Sequence, residues 1–88
     1  MSHMLARLRN VKPEVIKNVL RRDADQHAKE GLTLEYLWQN ADDKNEVLFL
    51  FRTTDLEKAK QFIDRVHSRA LRENPDSNLP QMIYLEEN

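Results

Sequence analysis

The stretch EVLFLFR, residues 46–52, is the most apolar run in the chain, and it limits the fold more than any other feature. If it is a β-strand, its side chains alternate between two faces. Three apolar side chains then share one face and two share the other: Val47, Phe49 and Phe51, and Leu48 and Leu50. Large bare apolar patches are uncommon on monomeric proteins. The sequence therefore predicts a central strand that is covered on both sides.

Three other stretches have the character of strands. Residues 4–10 alternate with the two-residue period of a strand. Residues 33–39 and 82–86 are rich in the residue types that favour strands. Together with residues 46–52, they give four predicted strands.

The first predicted helix covers residues 13–30. Pro13 suits the first helical turn, where its missing N–H costs nothing. Apolar residues then recur at spacings of three, four and five, as on one face of a helix: Val15, Ile16, Val19, Leu20, Ala24 and Ala28. Gly31 follows, and glycine can take the left-handed conformation that ends a helix.

The second predicted helix begins after the third strand. Thr54 and Glu57 fit a capping box, with Thr54 as the N-cap. One apolar stripe follows, formed by Leu56, Ala59, Ile63, Val66 and Ala70 and widened by Phe62 and Leu71. The helix should end near Asn74, because Pro75 cannot continue it.

The predicted order β-α-β-β-α-β is the ferredoxin-like pattern. The predicted fold class is therefore α+β, with a four-stranded antiparallel sheet in the order 4-1-3-2 and both helices on one face. One domain is predicted over residues 4–88, since residues 1–3 look like a remnant of an expression vector. The helices leave Leu48 and Leu50 uncovered, and a second copy of the chain is the simplest cover. The sequence thus predicts a homodimer through the open sheet face.

Composition argues against several classes of protein. The chain has 88 residues and a net charge of −1, from 14 basic and 15 acidic residues, which argues against a broad nucleic-acid surface. An RNA-binding sheet would also need exposed aromatics and glycines that the first and third strands lack. Cysteine is absent, which excludes disulfides and thiolate metal sites. No apolar run approaches the roughly 20 residues of a membrane span, and no signal-peptide pattern is present, so a cytoplasmic location is expected.

A cluster of polar residues lies between the second and third strands: Asn40, Asp42, Asp43, Asn45 and Glu46. Asp and Asn bond their own backbone in turns, and the segment has the length of a hairpin loop. A calcium loop would need a twelve-residue pattern with a central glycine, which is absent. The sequence therefore predicts a turn of about five residues and no metal site.

Three arginines are the main candidates for ligand binding. Arg7 and Arg9 share one side of the first strand, and strand alternation places Arg52 on the side of the third strand that the helices leave open. A guanidinium buried there needs a partner. That partner could be Glu35, Glu86, a carboxylate of a second copy, or the carboxylate or phosphate of a ligand. Plain solvent exposure is the remaining interpretation.

Aromatic residues and histidines complete the candidates. Tyr84 joins the arginines as a candidate ligand-binding residue, and Tyr36 and Trp38 could line the same pocket, although Trp38 could equally pack under the second helix. His27 is predicted on or beside the buried face of the first helix, either packed and bonded to a neighbour or acting as a proton carrier near a cavity. His67 lies at the edge of the second apolar stripe. The two histidines lack a third ligand at zinc-site spacing, and no catalytic residue is assigned.

Residues 31–63, GLTLEYLWQNADDKNEVLFLFRTTDLEKAKQFI, resemble the middle of small dimeric α-β barrel proteins. These proteins are related to antibiotic-biosynthesis monooxygenases and to cyclase-like proteins, many of them of unknown function. The closing IYLEE, residues 83–87, is similar to the end of the same group. Relatives often carry a histidine in the middle of the first helix, where this chain has RRDADQH, and an aromatic residue where it has Thr53.

The resemblance implies a homodimeric α-β barrel that binds a small organic molecule between the sheets, an anionic one if the arginines hold it. Monooxygenase-type relatives use no metal or bound flavin, so no cofactor is expected, and cofactor-independent oxygenase- or cyclase-like activity is one candidate. The alternative is a non-enzymatic dimerisation or regulatory module of the same topology. The shared motif marks a fold and not a reaction. Neither a nucleic acid nor a membrane is expected as a partner.

Overall fold

A computed structural model describes residues 1–88 as four strands and three helices. Their bounds are β1 (Ser2–Leu8), α1 (Pro13–Arg22), α2 (Ala24–Lys29), β2 (Leu32–Asn40), β3 (Asp43–Thr53), α3 (Leu56–Glu73) and β4 (Gln81–Glu86). The strands form one antiparallel sheet in the order β2-β3-β1-β4, which is β4-β1-β3-β2 when read from the β4 edge. The architecture is α+β and compatible with a ferredoxin-like fold.

The core lies between the helices and one face of the sheet. Three pairs of opposing residues form the central part of that face: Met4 and Phe51, Ala6 and Phe49, and Leu8 and Val47. All six are at most 8% exposed, so the prediction that they face the helices is confirmed. Six further apolar residues complete the core: Ile16, Leu20, Leu32, Leu56, Ala59 and Phe62. Burying a large apolar side chain of this kind contributes about 1.5–3 kcal/mol.

The helix predicted over residues 13–30 is divided in two at Asp23. Asp23 has φ −95° and ψ 6°, so the chain bends there. Hydrogen bonds continue across the bend: the Asp23 N–H donates to the Val19 carbonyl at 3.0 Å, and the Asp23 carbonyl accepts from the His27 N–H at 2.9 Å. Aspartate is a weak helix former, which favours a break at this position. Gly31 has φ +76° just after α2, as predicted for a helix end.

The start of α3 is one residue later than predicted. Asp55 is the N-cap, and its Oδ1 accepts from the Lys58 N–H at 3.1 Å. The predicted capping box at Thr54 and Glu57 is therefore wrong. The cause is that β3 runs on to Thr53, whose hydroxyl accepts from the Asp55 N–H at 3.2 Å and so fixes the residue that caps the helix.

Only the first half of α3 is buried against the sheet. Leu56, Ala59 and Phe62 are buried, whereas Val66 and Leu71 from the predicted apolar stripe are 45% and 44% exposed. The second half of α3 therefore leaves a gap on the helix side of the sheet. The longest helix also carries many charged residues, and no helix here has both the length and the apolar character needed to cross a membrane.

The polar segment between β2 and β3 is a hairpin turn, as predicted, but a shorter one. β2 extends to Asn40 and β3 begins at Asp43, so only two residues connect them. Asn40 Oδ1 accepts from the Asp42 N–H, and Asp43 Oδ1 accepts from the Asn45 N–H, both at 2.9 Å. The pairing register then shifts, which leaves residues 44–46 as an irregularity in β3.

β1 begins earlier and ends earlier than predicted. His3 pairs with Arg52, so part of the segment set aside as a vector remnant belongs to the strand. β1 ends at Leu8, and Asn10 has a φ of 59°, outside the extended region. The earlier start adds a histidine to the sheet that sequence analysis left out.

Candidate functional site

The sheet face opposite the helices, called here the open face, is largely apolar. Strand pairing places seven apolar or aromatic side chains on it: Leu5, Tyr36, Trp38, Leu48, Leu50, Ile83 and Leu85. Four of the seven are between 40% and 56% exposed. No helix of the chain covers this face, because all three helices lie on the other side. The open face therefore presents one contiguous apolar surface across four strands.

A bulge at Glu35 brings Tyr36 and Trp38 onto the open face. Leu34 pairs on the helix side, whereas Tyr36, only two residues later, pairs with Leu50 on the open side. Strict alternation would have kept the two on one face. The rings of Tyr36 and Trp38 stack with centroids 5.0 Å apart and planes 6° apart. The alternative in which Trp38 packs under the second predicted helix is therefore wrong.

The first charged cluster on the open face is centred on Glu46. The Glu46 side chain is only 5% exposed, and its Oε1 accepts a hydrogen bond from Arg7 Nε. Its Oε2 lies 3.7 Å from Arg9 Nε and accepts from Asn40 Nδ2 at 3.5 Å. The hydrogen bond from Arg7 lowers the pKa of Glu46 below its ordinary value, and this effect outweighs the opposing effect of desolvation. Glu46 is therefore an ionised carboxylate shared by two guanidinium groups.

The second charged cluster is centred on Glu35. Glu35 Oε1 lies 2.9 Å from His3 Nε2, and Glu35 Oε2 lies 3.9 Å from Arg52 Nη1. Glu35 follows Leu34 of the helix side, so ordinary alternation directs it to the open face, where His3 and Arg52 are paired across β1 and β3. Arg52 is partly exposed and loosely held by this carboxylate.

The predicted site residues do not form one group. Arg7 of β1 pairs with Leu48 of β3, and Leu48 lies four residues before Arg52. At the rise of an extended strand, the positions of Arg7 and Arg52 are therefore about 13 Å apart. The arginines therefore lie in two clusters. Tyr84, predicted to act with them, pairs with Met4 and lies on the helix side of the sheet.

Some of the ion-pair partners agree with the sequence-based expectation and others do not. Glu35 is confirmed as a partner of an arginine, whereas Glu86 lies in no ion pair. Glu46 was missed because, although it begins the predicted strand 46–52, it was considered only as a member of the polar turn cluster; its position two residues before Leu48 places it in phase with the open face. His3 was missed because residues 1–3 were set aside.

A polar recess of about 320 Å³ lies beside the first cluster. Arg7 and Arg9 line it together with Asn10, Asn78 and Gln81. The Arg9 side chain is 61% exposed. Two guanidinium groups share the single Glu46 carboxylate, so the recess keeps one net positive charge.

A larger cleft of about 650 Å³, called here the helix-side cleft, separates α1 and α2 from α3. Eleven of its eighteen lining residues are hydrophobic. Phe49 and Met82 line it from the sheet, Val19 lines it from α1, and Val66 lines it from α3. The cleft exists because the second half of α3 does not close against α1.

His27 and His67 both line the helix-side cleft. The His27 ring stands edge-on to Phe51, with centroids 5.1 Å apart, and to Phe62, with centroids 6.1 Å apart. Its predicted place beside the buried face is confirmed, but its ring has no hydrogen-bonded neighbour. Of the three histidines, only His3 forms a side-chain hydrogen bond within the protein.

The environment of the cleft favours neutral imidazoles. Burial lowers the pKa of both His27 and His67 below the ordinary value of 6.5. The carboxylate of Asp23 opposes this shift at His27, and that of Asp64 opposes it at His67, but in each case desolvation dominates. Both rings therefore favour the uncharged form near neutral pH.

Metal-ligating side chains do not gather at any of these places. No group of three or more His, Cys, Asp or Glu side chains could hold a metal ion. The sequence matches no protein-family model, and no curated protein is significantly similar to it. The class that the structure defines is a small α+β protein with one four-stranded antiparallel sheet and three helices.

Replacing Glu46 by Gln is expected to destabilise the fold, because Arg7 and Arg9 then lose their shared carboxylate. The urea midpoint of Glu46→Gln should fall clearly below that of the wild type. Glu57→Gln is the matched control, because Glu57 is exposed and its ion pair with Lys60 Nζ, at 3.8 Å, is a loose one. This substitution should change the free energy of unfolding by less than about 0.5 kcal/mol. Equal effects of the two substitutions would contradict a structural role for Glu46.

The free energy of unfolding is expected to fall as the pH drops from about 7.5 to about 5.5. The folded chain lowers the pKa of His27 and His67, so the unfolded chain binds more protons once the pH falls through its pKa of about 6.5. The charged groups around the two rings are Asp23, Asp64 and Arg69. Urea unfolding at several pH values measures the effect, and the double change His27→Gln and His67→Gln should flatten the profile. A flat wild-type profile would show that burial of the two rings does not affect their titration.

Proposed function

We propose that the protein is a homodimer whose copies meet through the open face, and that it binds a small organic molecule. The observation that carries the proposal is the contiguous apolar surface of the open face, which none of the chain's own helices covers. Monomeric proteins rarely expose such a surface without a partner. Tyr36 and Trp38 at its β2 side belong to the residue types that dominate interfaces.

The charged groups of the open face are compatible with burial by a second copy. Glu46 offsets Arg7, and Glu35 offsets Arg52, within one chain. A partner can therefore cover these two pairs without trapping an isolated charge, which would be the costly outcome, as long as Arg9 stays in contact with solvent or with an anion. In a two-fold dimer the same patch meets itself, and a mainly apolar surface with internally paired charges is self-complementary.

The proposed ligand lies between the two sheets and is anionic. The recess beside Arg7 and Arg9 supports this placement, because one carboxylate there serves two guanidinium groups. Arg9 is the looser of the two, at 3.7 Å from Glu46, and its planar group suits a carboxylate or phosphate. Oxygenase- or cyclase-like turnover without a cofactor belongs to this proposal on the strength of the sequence resemblance, and no side chain is assigned to it.

A non-enzymatic dimerisation or regulatory module is the second candidate function. The observation that favours it is the internal pairing of all three arginines, each within 4 Å of a carboxylate of its own chain. Each arginine therefore already has a carboxylate of its own chain nearby, and the one net positive charge that remains lies at Arg9, whose side chain is 61% exposed to solvent. The two candidates differ in their response to small anions and can be separated by that response.

Leu50→Asp is expected to dissociate the dimer, because an unpaired carboxylate in an apolar interface costs several kcal/mol. Sedimentation at micromolar concentration should give about twice the 10.5 kDa chain mass for the wild type and the chain mass for the variant. Leu71→Asp is the matched control, because Leu71 is 44% exposed on α3 and should tolerate the charge without dissociation. A well-folded wild-type monomer would refute the dimer, whatever the variants do.

Small aromatic and aliphatic carboxylates are expected to raise the melting temperature of the wild type. A ligand at one hundred times its dissociation constant adds about 2.7 kcal/mol to the stability of the folded state. Arg9→Met should remove the shift if the ligand occupies the recess beside Arg7, and Arg52→Met should remove it if the ligand binds near Glu35. Dimeric wild-type protein that shows no shift with any carboxylate would favour the dimerisation module.

A further inference from the structure

We infer that the helix-side cleft binds a neutral organic molecule with an apolar, ring-sized body and one hydroxyl or carbonyl group. The cleft lies between the helices and the sheet, whereas the arginine clusters lie on the open face; the recess beside Arg7 and Arg9 approaches the cleft at Asn78 and Leu79, which line both. This site therefore goes beyond the proposed sheet-face ligand, and it does not require the dimer.

The size of the cleft supports a ligand. The helix-side cleft is open and has a volume of about 650 Å³, which lies within the range of roughly 300–1,000 Å³ for small-molecule sites, and most of its lining residues are hydrophobic. Val19 on one side is half-buried and Val66 on the other is 45% exposed, so apolar surface on both sides would gain burial from an apolar occupant.

The charge of the lining favours a neutral ligand. Two charged side chains line the cleft, and each is already paired outside it. Asp23 Oδ1 lies 3.0 Å from Arg22 Nε, and Arg69 Nε lies 3.3 Å from Glu73 Oε1. An ionic ligand would lose its hydration here without gaining a free counter-charge. A neutral molecule avoids that cost.

The two histidines supply the hydrogen-bonding groups that the ligand would use. Neither His27 nor His67 bonds to the protein through its ring, and no side-chain nitrogen or oxygen in the chain is both fully buried and unpaired. The ring nitrogens are therefore within reach of a partner from outside the chain. An uncharged imidazole offers one donor and one acceptor, so it can accept from a hydroxyl or donate to a carbonyl.

The orientation of His27 is set by packing and not by a hydrogen bond. The rings of Phe51 and Phe62 both contact its ring edge-on. A second groove of about 470 Å³ beside β2 shares Leu20, His27 and Phe51 with the cleft. His27 therefore stands where the two openings meet, with its polar atoms free and its ring fixed, which is the arrangement of a preformed recognition group.

The test uses three probes that share one ring system: 2-naphthol, 2-methoxynaphthalene and 2-naphthoate. The first can donate a hydrogen bond to an imidazole, the second cannot donate one, and the third is anionic. Each is titrated into the wild-type protein at about pH 7.5, and amide and histidine-ring signals are followed by NMR. We expect 2-naphthol to shift His27, His67 and Val66 saturably. 2-Methoxynaphthalene should bind about three- to tenfold more weakly, as for the loss of one hydrogen bond.

Two variants place the site. Val66→Phe fills the mouth of the cleft from an exposed position and should abolish binding of 2-naphthol. Val15→Phe makes the same change at a 51% exposed position of α1 that lines no cavity, and it should bind 2-naphthol as the wild type does. Because the wild-type titration maps the contact directly, the inference stays testable even if Val66→Phe does not fold.

Three outcomes would overturn the inference. The first is the absence of saturable NMR shifts with 2-naphthol. The second is a set of NMR shifts confined to the open face, for which the indole N–H signal of Trp38 is the marker. The third is tighter binding of 2-naphthoate than of 2-naphthol within the cleft. These results can be told apart from failure of the proposed function. Loss of naphthoate binding in Arg9→Met would show that naphthoate binds at the open face, and it would leave the cleft inference unchanged. A monomeric wild type that still binds 2-naphthol in the cleft would contradict only the proposed dimer.

Discussion

β3 carries apolar side chains on both of its faces, and the arrangement of the other elements depends on burying them. Val47, Phe49 and Phe51 meet the helices, and the twelve-residue core forms around them. The opposite side chains, Leu48 and Leu50, contact only the neighbouring strands, and none of the seven described elements lies over them. Burial of one face thus stabilises the subunit, while the other face supplies the reason to expect a second copy.

The two sides of the sheet differ in how their polar groups are satisfied. On the open face each carboxylate is paired with guanidinium groups, Glu46 with Arg7 and Arg9 and Glu35 with Arg52, and one net positive charge remains. In the helix-side cleft the two charged lining residues, Asp23 and Arg69, are paired with residues that do not line it, and the imidazoles form no hydrogen bond within the protein. The first arrangement suits a covered, mainly protein contact. The second arrangement suits a small uncharged molecule, because the imidazoles can form hydrogen bonds with it and the cleft holds no unpaired charge.

Strand alternation predicted much of the open face correctly, and it failed where a bulge makes a strand irregular. The placement of Arg7 and Arg52 follows from a two-residue period, which holds wherever the ladder is regular. Tyr36 lies where a bulge interrupts that period, whereas Glu46 keeps the period and was missed because it was counted with the polar turn. A bulge depends on how two strands fit together across the sheet, so the sequence of one strand does not reveal it.

The sequence by itself determined the order of the elements, the central place of β3 and the face on which the core forms, because these follow from local periodicity and from the chain's few glycines and prolines. The tertiary structure alone decided which carboxylate each arginine meets, since those partners are up to 39 residues apart in sequence. It also decided that α3 packs closely through only its first half, although its apolar stripe continues beyond that point. A helical period specifies which side of a helix is apolar, whereas the angle and distance at which two helices approach depend on every side chain between them.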